Sequence, residues 1–325
     1  MTLIQNTAMT KQIQDYNLSR ASASTLPGQH DNPVTDLFSR TYDHFETRLD
    51  HSIGAMWCYM RPQGMPIVTH GLLTELNSIQ KSVQHIFPSR EHTADRPLSY
   101  FVFASRTPGI FNLGGDLARF AECVRSGDRA MIHSYARACV DIVYENTNAL
   151  HLPIITMALV QGDALGGGFE TALSFDMIVA ERSAKFCLPE IIFNLFPGMG
   201  AFSFLSRKLD AARAQRLITS GDMLTAEQLY EMGIVDILAE DGEGEATITR
   251  YMQKSLARHS GLYAINQARR AVNPVSLSEL QDVVDLWTSA VFRLTDADLR
   301  KMERLASAQS KRMTRAVGAL PGHAR

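Results

Sequence analysis

Two unbroken apolar runs, SYFVFAS (99–105) and PIITMALV (153–160), stand out along the chain. Neither alternates apolar with polar positions, so both read as strands covered on two faces, as in a parallel sheet. The stretch GLLTELNSIQKSVQHIF instead places Leu72, Leu73, Leu76, Ile79, Val83 and Ile86 at helical spacing and stops at Pro88, which predicts an amphipathic helix. Ahead of it, HFETRLDHSIGAMWCYM (44–60) predicts a hairpin around Asp50 and His51. The first buried strand leads into a glycine loop, PGIFNLGGD, and helical sequence out to Leu150; after the second, GGGFETALS opens another helix, and DMIVA and KFCLP are two more short strands. Strands alternating with helices predict an α/β layer structure with a largely parallel sheet. Beyond Pro197 only IVDIL (234–238) reads as a strand. The segments SLSELQDVVDLWTSAVFRL and DADLRKMERLASAQSKR read as amphipathic helices that cover the sheet layer or meet another subunit.

Composition narrows the class. A chain of 325 residues, 45% apolar and 20% charged, is long enough for one large core. Residues 1–36, polar and rich in Ser, Thr, Gln and Asn, read as an extension. A net charge of −2 gives no reason to expect nucleic acid or an anionic membrane as partner. No apolar run approaches the ~18 residues of a membrane span, and MTLIQNTAMTKQ lacks the pattern of a signal peptide, so the cytoplasm is the expected location. Cys58, Cys123, Cys139 and Cys187 stand far apart without a CxxC pair; buried free thiols are expected, and no metal site.

The glycines carry the chemical signal. Gly166, Gly167 and Gly168 open a helix, where each glycine costs about 0.5–1 kcal/mol relative to alanine. Neither the spacing of a GxGxxG dinucleotide loop nor GxxxxGK[ST] is present, so a phosphate loop is poorly supported. A repeated arrangement is present instead: one buried strand leads to Gly114–Gly115–Asp116 before a helix, and the other to the triple glycine before a helix. Two such helix starts can aim unpaired N–H groups at one oxygen, the design of an oxyanion hole. Tight packing turns would explain either loop alone, and Asp116 fits a helix cap.

The run QGDALGGGFETALSFDMIVAERSAKFCLPEIIFNLFPGMG resembles the signature region of the enoyl-CoA hydratase/isomerase (crotonase) superfamily, FNLGGDL resembles its first oxyanion loop, and the likeness extends over residues 45–238. The resemblance implies a spiral of repeated ββα units over 37–240, with a helical region at 241–325 covering the pocket and forming subunit contacts. It places oxyanion donors at Gly115 and Gly167, a glutamate working at the α-carbon at Glu190, and one at the β-hydroxyl at Glu170. No cofactor is implied, and assembly as a homotrimer or hexamer is. Keeping both glutamates argues for hydratase or dehydratase chemistry. Asn194 in place of the usual glycine, GAFSFL at 200–205 and the insertion around PSREHTADRP depart from an ordinary β-oxidation hydratase. These features, with FNLGGDL and WTSAVFRL, resemble the diffusible signal factor (DSF) synthase branch (RpfF). That branch implies a cis-2-unsaturated fatty acid made from a 3-hydroxyacyl thioester on acyl carrier protein by dehydration and thioester hydrolysis. The open alternatives are an ordinary acyl-CoA hydratase and a non-catalytic binding protein on the same fold.

A fatty chain needs an apolar channel. Candidates for the substrate site are Leu113, Gly114 and Gly166 in the loops, then Met199, Phe202 and Phe204, and Leu286, Trp287, Val291 and Leu305 in the terminal helices. Arg61 and Arg119 are candidate contacts to a phosphopantetheine or carrier protein, with ordinary surface charge as the alternative.

Overall fold

The structure, a computed structural model, describes residues 37–87 and 98–318. The expected extension at 1–36 and the segment PSREHTADRP at 88–97 lie outside the described residues. The chain runs β1 (Phe45–Asp50), β2 (Ala55–Met60), α1 (His70–Ile86), β3 (Tyr100–Ser105), β4 (Ile110–Asn112), α2 (Leu117–Ser126) and α3 (Arg129–Thr147). It continues through β5 (Ile155–Val160), β6 (Asp163–Leu165), α4 (Gly167–Leu173), β7 (Met177–Glu181), β8 (Lys185–Cys187), α5 (Ala201–Lys208) and α6 (Ala211–Ser220). The last part holds β9 (Leu224–Thr225), α7 (Ala226–Glu231), β10 (Ile237–Ala239), α8 (Gly244–Ser255), α9 (His259–Val272), α10 (Leu277–Val291) and α11 (Asp296–Gly318).

Two sheets are built in step. The larger has the order β1-β2-β3-β5-β7-β10 and the smaller β4-β6-β8-β9. Each turn of chain lays one strand on the large sheet and one on the small sheet before its helices: β3 then β4, β5 then β6, β7 then β8. All pairings are parallel except β1 with β2 and β8 with β9. This is the expected mixed α/β fold with a helical C-terminal region. The unbroken apolar runs follow from burial on both faces. Trp57, Tyr100, Val102, Met157 and Leu159 pack against Ile248 and Met252 of α8. On the opposite face Phe103 stacks on Phe175 at 5.5 Å.

The predicted hairpin is present, with Phe45 paired to Met60 and Asp50 to Ala55. The helix predicted from Leu72 to Ile86 is α1, capped by the Thr69 hydroxyl. Two assignments shift. The expected strand at 234–238 begins three residues later, at Ile237, because Ile234 and Val235 are buried in the turn that closes α7. The loop PGIFNLGGD contains β4, whose three residues are too few to show a period.

Asp176 ties the end of α9 to the sheet. It accepts the N–H and hydroxyl of Thr156 at 3.0 and 3.2 Å, and the guanidiniums of Arg269 and Arg270 at 2.6 and 2.5 Å. Farther along its surface α9 leaves Ile265 and Val272 uncovered, 66% and 77% exposed. Among the described residues no helix is long and apolar enough to cross a membrane. Asp176→Ala is expected to destabilise the fold by about 3 kcal/mol, the low end for breaking a buried pair because both guanidiniums keep partial access to water. A urea midpoint within experimental error of wild type would show that the cluster adds no net stability.

Candidate active site

Glu170 lies in the first turn of α4, where the helix N-terminus favours a carboxylate. It is nonetheless 2% exposed. One carboxyl oxygen accepts the N–H groups of Met199 and Ala201 at 2.7 and 3.0 Å, from the turn that opens α5. Burial wins over these donors and pushes the group up to about 7. Glu190 sits in a 3₁₀ turn, Pro189–Phe193, directly after β8. Its Oε2 is buried and has no hydrogen-bond partner among the described residues. Burial first and the neighbouring Glu170 second raise it to about 8. Like charges this close titrate as a pair, so near neutrality the two carboxyls share one proton. The backbone donors favour charge on Glu170, which leaves the proton on Glu190.

The glycine loops meet beside this pair. Parallel pairing of β4 with β6, Ile110 opposite Asp163 and Asn112 opposite Ala164, carries both strand ends to one place. A Cβ on Gly114 would lie 3.2 Å from the Gly167 nitrogen. The triple glycine has steric causes that differ by position. Gly166 holds φ +49°, and a Cβ there would come within 2.7 Å of Glu190 Oε1. At Gly168 the obstacle is backbone, the Asn112 carbonyl oxygen at 2.2 Å. The N–H groups of Gly115 and Gly167 donate to no described residue.

A cavity of about 50 Å³ joins these groups, lined by Gly115, Gly167, Glu170, Glu190, Met199 and Trp287, with Phe120, Tyr135 and Cys139 on its apolar wall. A volume of this size has room for a few waters. Trp287 packs edge-on against Phe120 at 5.8 Å and covers Gly198, where a Cβ would lie 2.6 Å from the indole. Burial pushes the Cys139 thiol up, so it stays protonated.

Of the sequence candidates, Gly115, Gly167, Glu170, Glu190, Met199 and Trp287 line this one cavity. Leu286 does not: it is 64% exposed, because adjacent helix residues point about 100° apart and Trp287 takes the inward direction. Phe202 is likewise 44% exposed, and Phe204 lines a separate cavity beside Arg207 and Lys208. Val291 is buried outside the lining, and Leu305 is half-buried on α11 outside it. Leu113 sits in an adjoining cluster with Ile67, Ile110 and Leu165. Asp116 caps α2 through the Arg119 N–H at 3.0 Å. Arg119 pairs with Glu122 on the surface, and Arg61 is exposed. The four cysteines are buried free thiols. Sequence reasoning did not single out Phe120 and Tyr135, and read Cys139 only as a buried thiol. Tyr135 and Cys139 share a face of α3 at i and i+4, a spacing that marks burial but not what it faces.

The enoyl-CoA hydratase/isomerase family profile matches residues 80–303, and the chain belongs to that family. Mitochondrial methylglutaconyl-CoA hydratase of Rattus norvegicus is 32% identical over 184 residues, 55% of this chain and 56% of that protein. The 2,3-dehydroadipyl-CoA hydratase of Escherichia coli K12 is 36% identical over 138 residues, 42% of this chain and 52% of that protein. The chain thus spans a little over half the length of these curated relatives. The crystal structure of an enoyl-CoA hydratase from Bacillus halodurans superposes with a TM-score of 0.65 at 18% identity, covering 82% of this chain and 99% of that one, and so shares its fold.

The neighbours of the glycines separate two substitutions. At Gly167 a Cβ would meet the Met199 sulfur at 2.7 Å, the end of a flexible side chain. At Gly168 it would meet backbone. Gly168→Ala is therefore expected to destabilise by about 1–3 kcal/mol, the range for overpacking, with Gly167→Ala closer to wild type. Equal melting temperatures for the two variants would contradict this steric account.

Proposed function

We propose that this chain interconverts 3-hydroxyacyl and 2-enoyl thioesters. The observation that carries the reading is the pair of enclosed carboxyls, Glu170 and Glu190, lining one cavity with the free N–H groups of Gly115 and Gly167. In elimination, Glu190 as carboxylate takes the α-proton and the electron pair moves toward the thioester carbonyl. The charge that gathers on its oxygen is stabilised by the two glycine N–H groups, each worth about 2.7–4 kcal/mol on the mutational scale. Glu170 in its acid form protonates the β-hydroxyl, which leaves as water. Hydration reverses every step, and in both directions the pair carries one proton.

Within this chemistry the chain acts as a synthase of the DSF type. A 3-hydroxyacyl chain on acyl carrier protein loses water, and the resulting 2-enoyl thioester is then hydrolysed. Water attacks the thioester carbonyl while a carboxylate takes its proton. The tetrahedral oxyanion uses the same glycine donors, the C–S bond breaks, and the thiol leaves with that proton. The support is the sequence likeness at FNLGGDL and WTSAVFRL, and protonated Cys139 leaves water as the nucleophile. A second reading, hydration of acyl-CoA with the thioester kept, is favoured by the proton's place. A charged Glu170 and a protonated Glu190 are the state from which hydration starts, and the relatives compared above are named as CoA-thioester hydratases.

One experiment separates the two. 3-Hydroxyacyl and 2-enoyl thioesters of carrier protein and of coenzyme A are supplied separately, with product read by mass spectrometry and released thiol by a colorimetric reagent. Free unsaturated acid with stoichiometric thiol is the expected result; water addition with the thioester intact would put acyl-CoA hydration in its place. Glu170→Gln and Glu190→Gln should each lower turnover at least about a hundredfold. The wild-type rate should be bell-shaped in pH. Below about 7 both groups are protonated and the base is lost; above about 8 both are ionised and the acid is lost. Near-normal turnover in either variant would sink the assignment.

The uncovered face of α9 suits a subunit contact in a homotrimer or hexamer. Ile265→Glu should lower the mass read by light scattering, whereas a monomeric wild type at micromolar concentration would rule this assembly out.

A further inference from the structure

The loop Leu113–Gly115 hangs between β4 and α2, with Gly114 at φ +87°. A glycine there leaves the backbone free to turn, so the direction of the Gly115 N–H must be fixed from outside. Three consecutive peptide planes are held by named groups. The Gly114 N–H donates to Asn112 Oδ1 at 2.8 Å, and the Gly114 carbonyl accepts the Val68 N–H at 2.8 Å. Because the peptide is planar and trans, the second bond sends the Gly115 N–H away from Val68. The carbonyls on either side, of Leu113 and Gly115, both accept from one side-chain amide, Gln309 Nε2, at 2.8 and 3.3 Å.

Gln309 is remote in sequence, 194 residues beyond Gly115, and only 8% exposed. It lies on α11, which also reaches the other half of the site. Arg312 pairs with Asp163 at the start of β6, the strand that leads to Gly166 and Gly167. Met313 packs on the cluster of Leu113 and Leu165, and Asp298 accepts the Asn194 amide at 3.5 Å just after the Glu190 turn. The helix therefore touches both glycine loops and the Glu190 turn, and Gln309 is its contact to the loop that carries the first free N–H.

We infer that Gln309 is a positioning residue for the Gly115 N–H: its amide pins the carbonyls flanking Gly114 and holds the donor on the thioester oxygen. It touches no reacting atom and acts through the loop. The inference rests on Gly115 and Gly167 being the oxyanion donors of the proposed reaction.

Gln309→Met keeps the length and apolar stem but has no donor. Gln309→Glu keeps the shape and turns an acceptor toward two carbonyls. Gln309→Lys returns a donor of similar reach. With the thioester that wild type turns over, the Met and Glu variants should lower kcat at least about tenfold with KM within about twofold, since small misplacement of a transition-state donor is felt mainly in kcat. The Lys variant should recover part of the loss. A second readout needs no turnover. The carbonyl stretch of a ¹³C-labelled thioester bound to Glu170→Gln should be lowered, and should move back toward its solution frequency when Gln309→Met is added. Should the Met variant fail to fold, the Glu variant carries both measurements. Unchanged kcat in a folded Met or Glu variant overturns the inference, and so does an unchanged carbonyl frequency. If Glu170→Gln itself leaves turnover intact, the proposed reaction fails first. If Glu170→Gln is inactive and Gln309→Met is normal, only the role of Gln309 falls.

Discussion

The parallel pairing of β4 with β6 is the constraint on which the rest of the site depends. Each strand has three residues, and alone neither would hold a direction in water. They are held because β3 and β5, the strands that precede them, are locked side by side in the large sheet, with Tyr100 opposite Ile155 and Phe103 opposite Ala158. The repeat of the chain path brings β4 beside β6 in the small sheet, where an irregularity between Ile110 and Asn112 resets the register. Two glycine loops and the start of α4 then fall within a few ångströms of one another, and a one-residue slip would separate the Gly115 and Gly167 nitrogens.

Against that frame stands an electrostatic opposition. Two enclosed carboxyls disfavour each other's ionisation, and burial adds to this for both. Two backbone N–H groups from the start of α5 act the other way, on Glu170 alone. The asymmetry decides where the shared proton rests. Because the two groups titrate as one coupled pair, either member can hold the shared proton, and the pair can enter the proposed reaction from either side. Proton placement sets the resting state, and the equilibrium of the substrates sets the direction.

The inner strands β3 and β5 of the large sheet were legible because they are continuous apolar runs, and β1 and β2 as a hairpin pattern. Of the small sheet only β8, within KFCLP, was legible; β4, β6 and β9 were not, because strands of two or three residues show no period and β6 hides in the polar-looking QGDA. The glutamates and glycine loops were legible as a motif, but the reason for each glycine was not: no sequence says that Asn112 carries its carbonyl to Gly168. Of the apolar residues read as candidates for the wall, Met199 and Trp287 line the cavity, and Phe202, Phe204, Leu286, Val291 and Leu305 do not. Trp287 faces in, and Leu286, one residue earlier, faces out, a distinction that helical spacing makes only once the packed face is known. Gln309 sits in the helix-forming run LASAQSKR, where a polar residue reads as solvated surface.

The asparagine that stands in place of the usual glycine at position 194 acquires a physical sense at α11. Asn194 occupies a left-handed conformation, φ 61° and ψ 36°, where glycine is the unstrained choice and asparagine the side chain that best tolerates it. The exchange keeps the turn that closes behind Glu190 and adds an amide that reaches Asp298 near the start of α11. Asp298 is itself held by Thr295 at 2.7 Å and flanked by Lys301 at 3.4 Å, so the contact is made to a preorganised carboxylate. A glycine at this position would preserve the backbone and lose the link. Asn194 at one end and Gln309 farther along thus join a helix outside the spiral to both halves of the site. The loops are short, glycine-rich and closely packed on each other, and α11 adds contacts to both from outside.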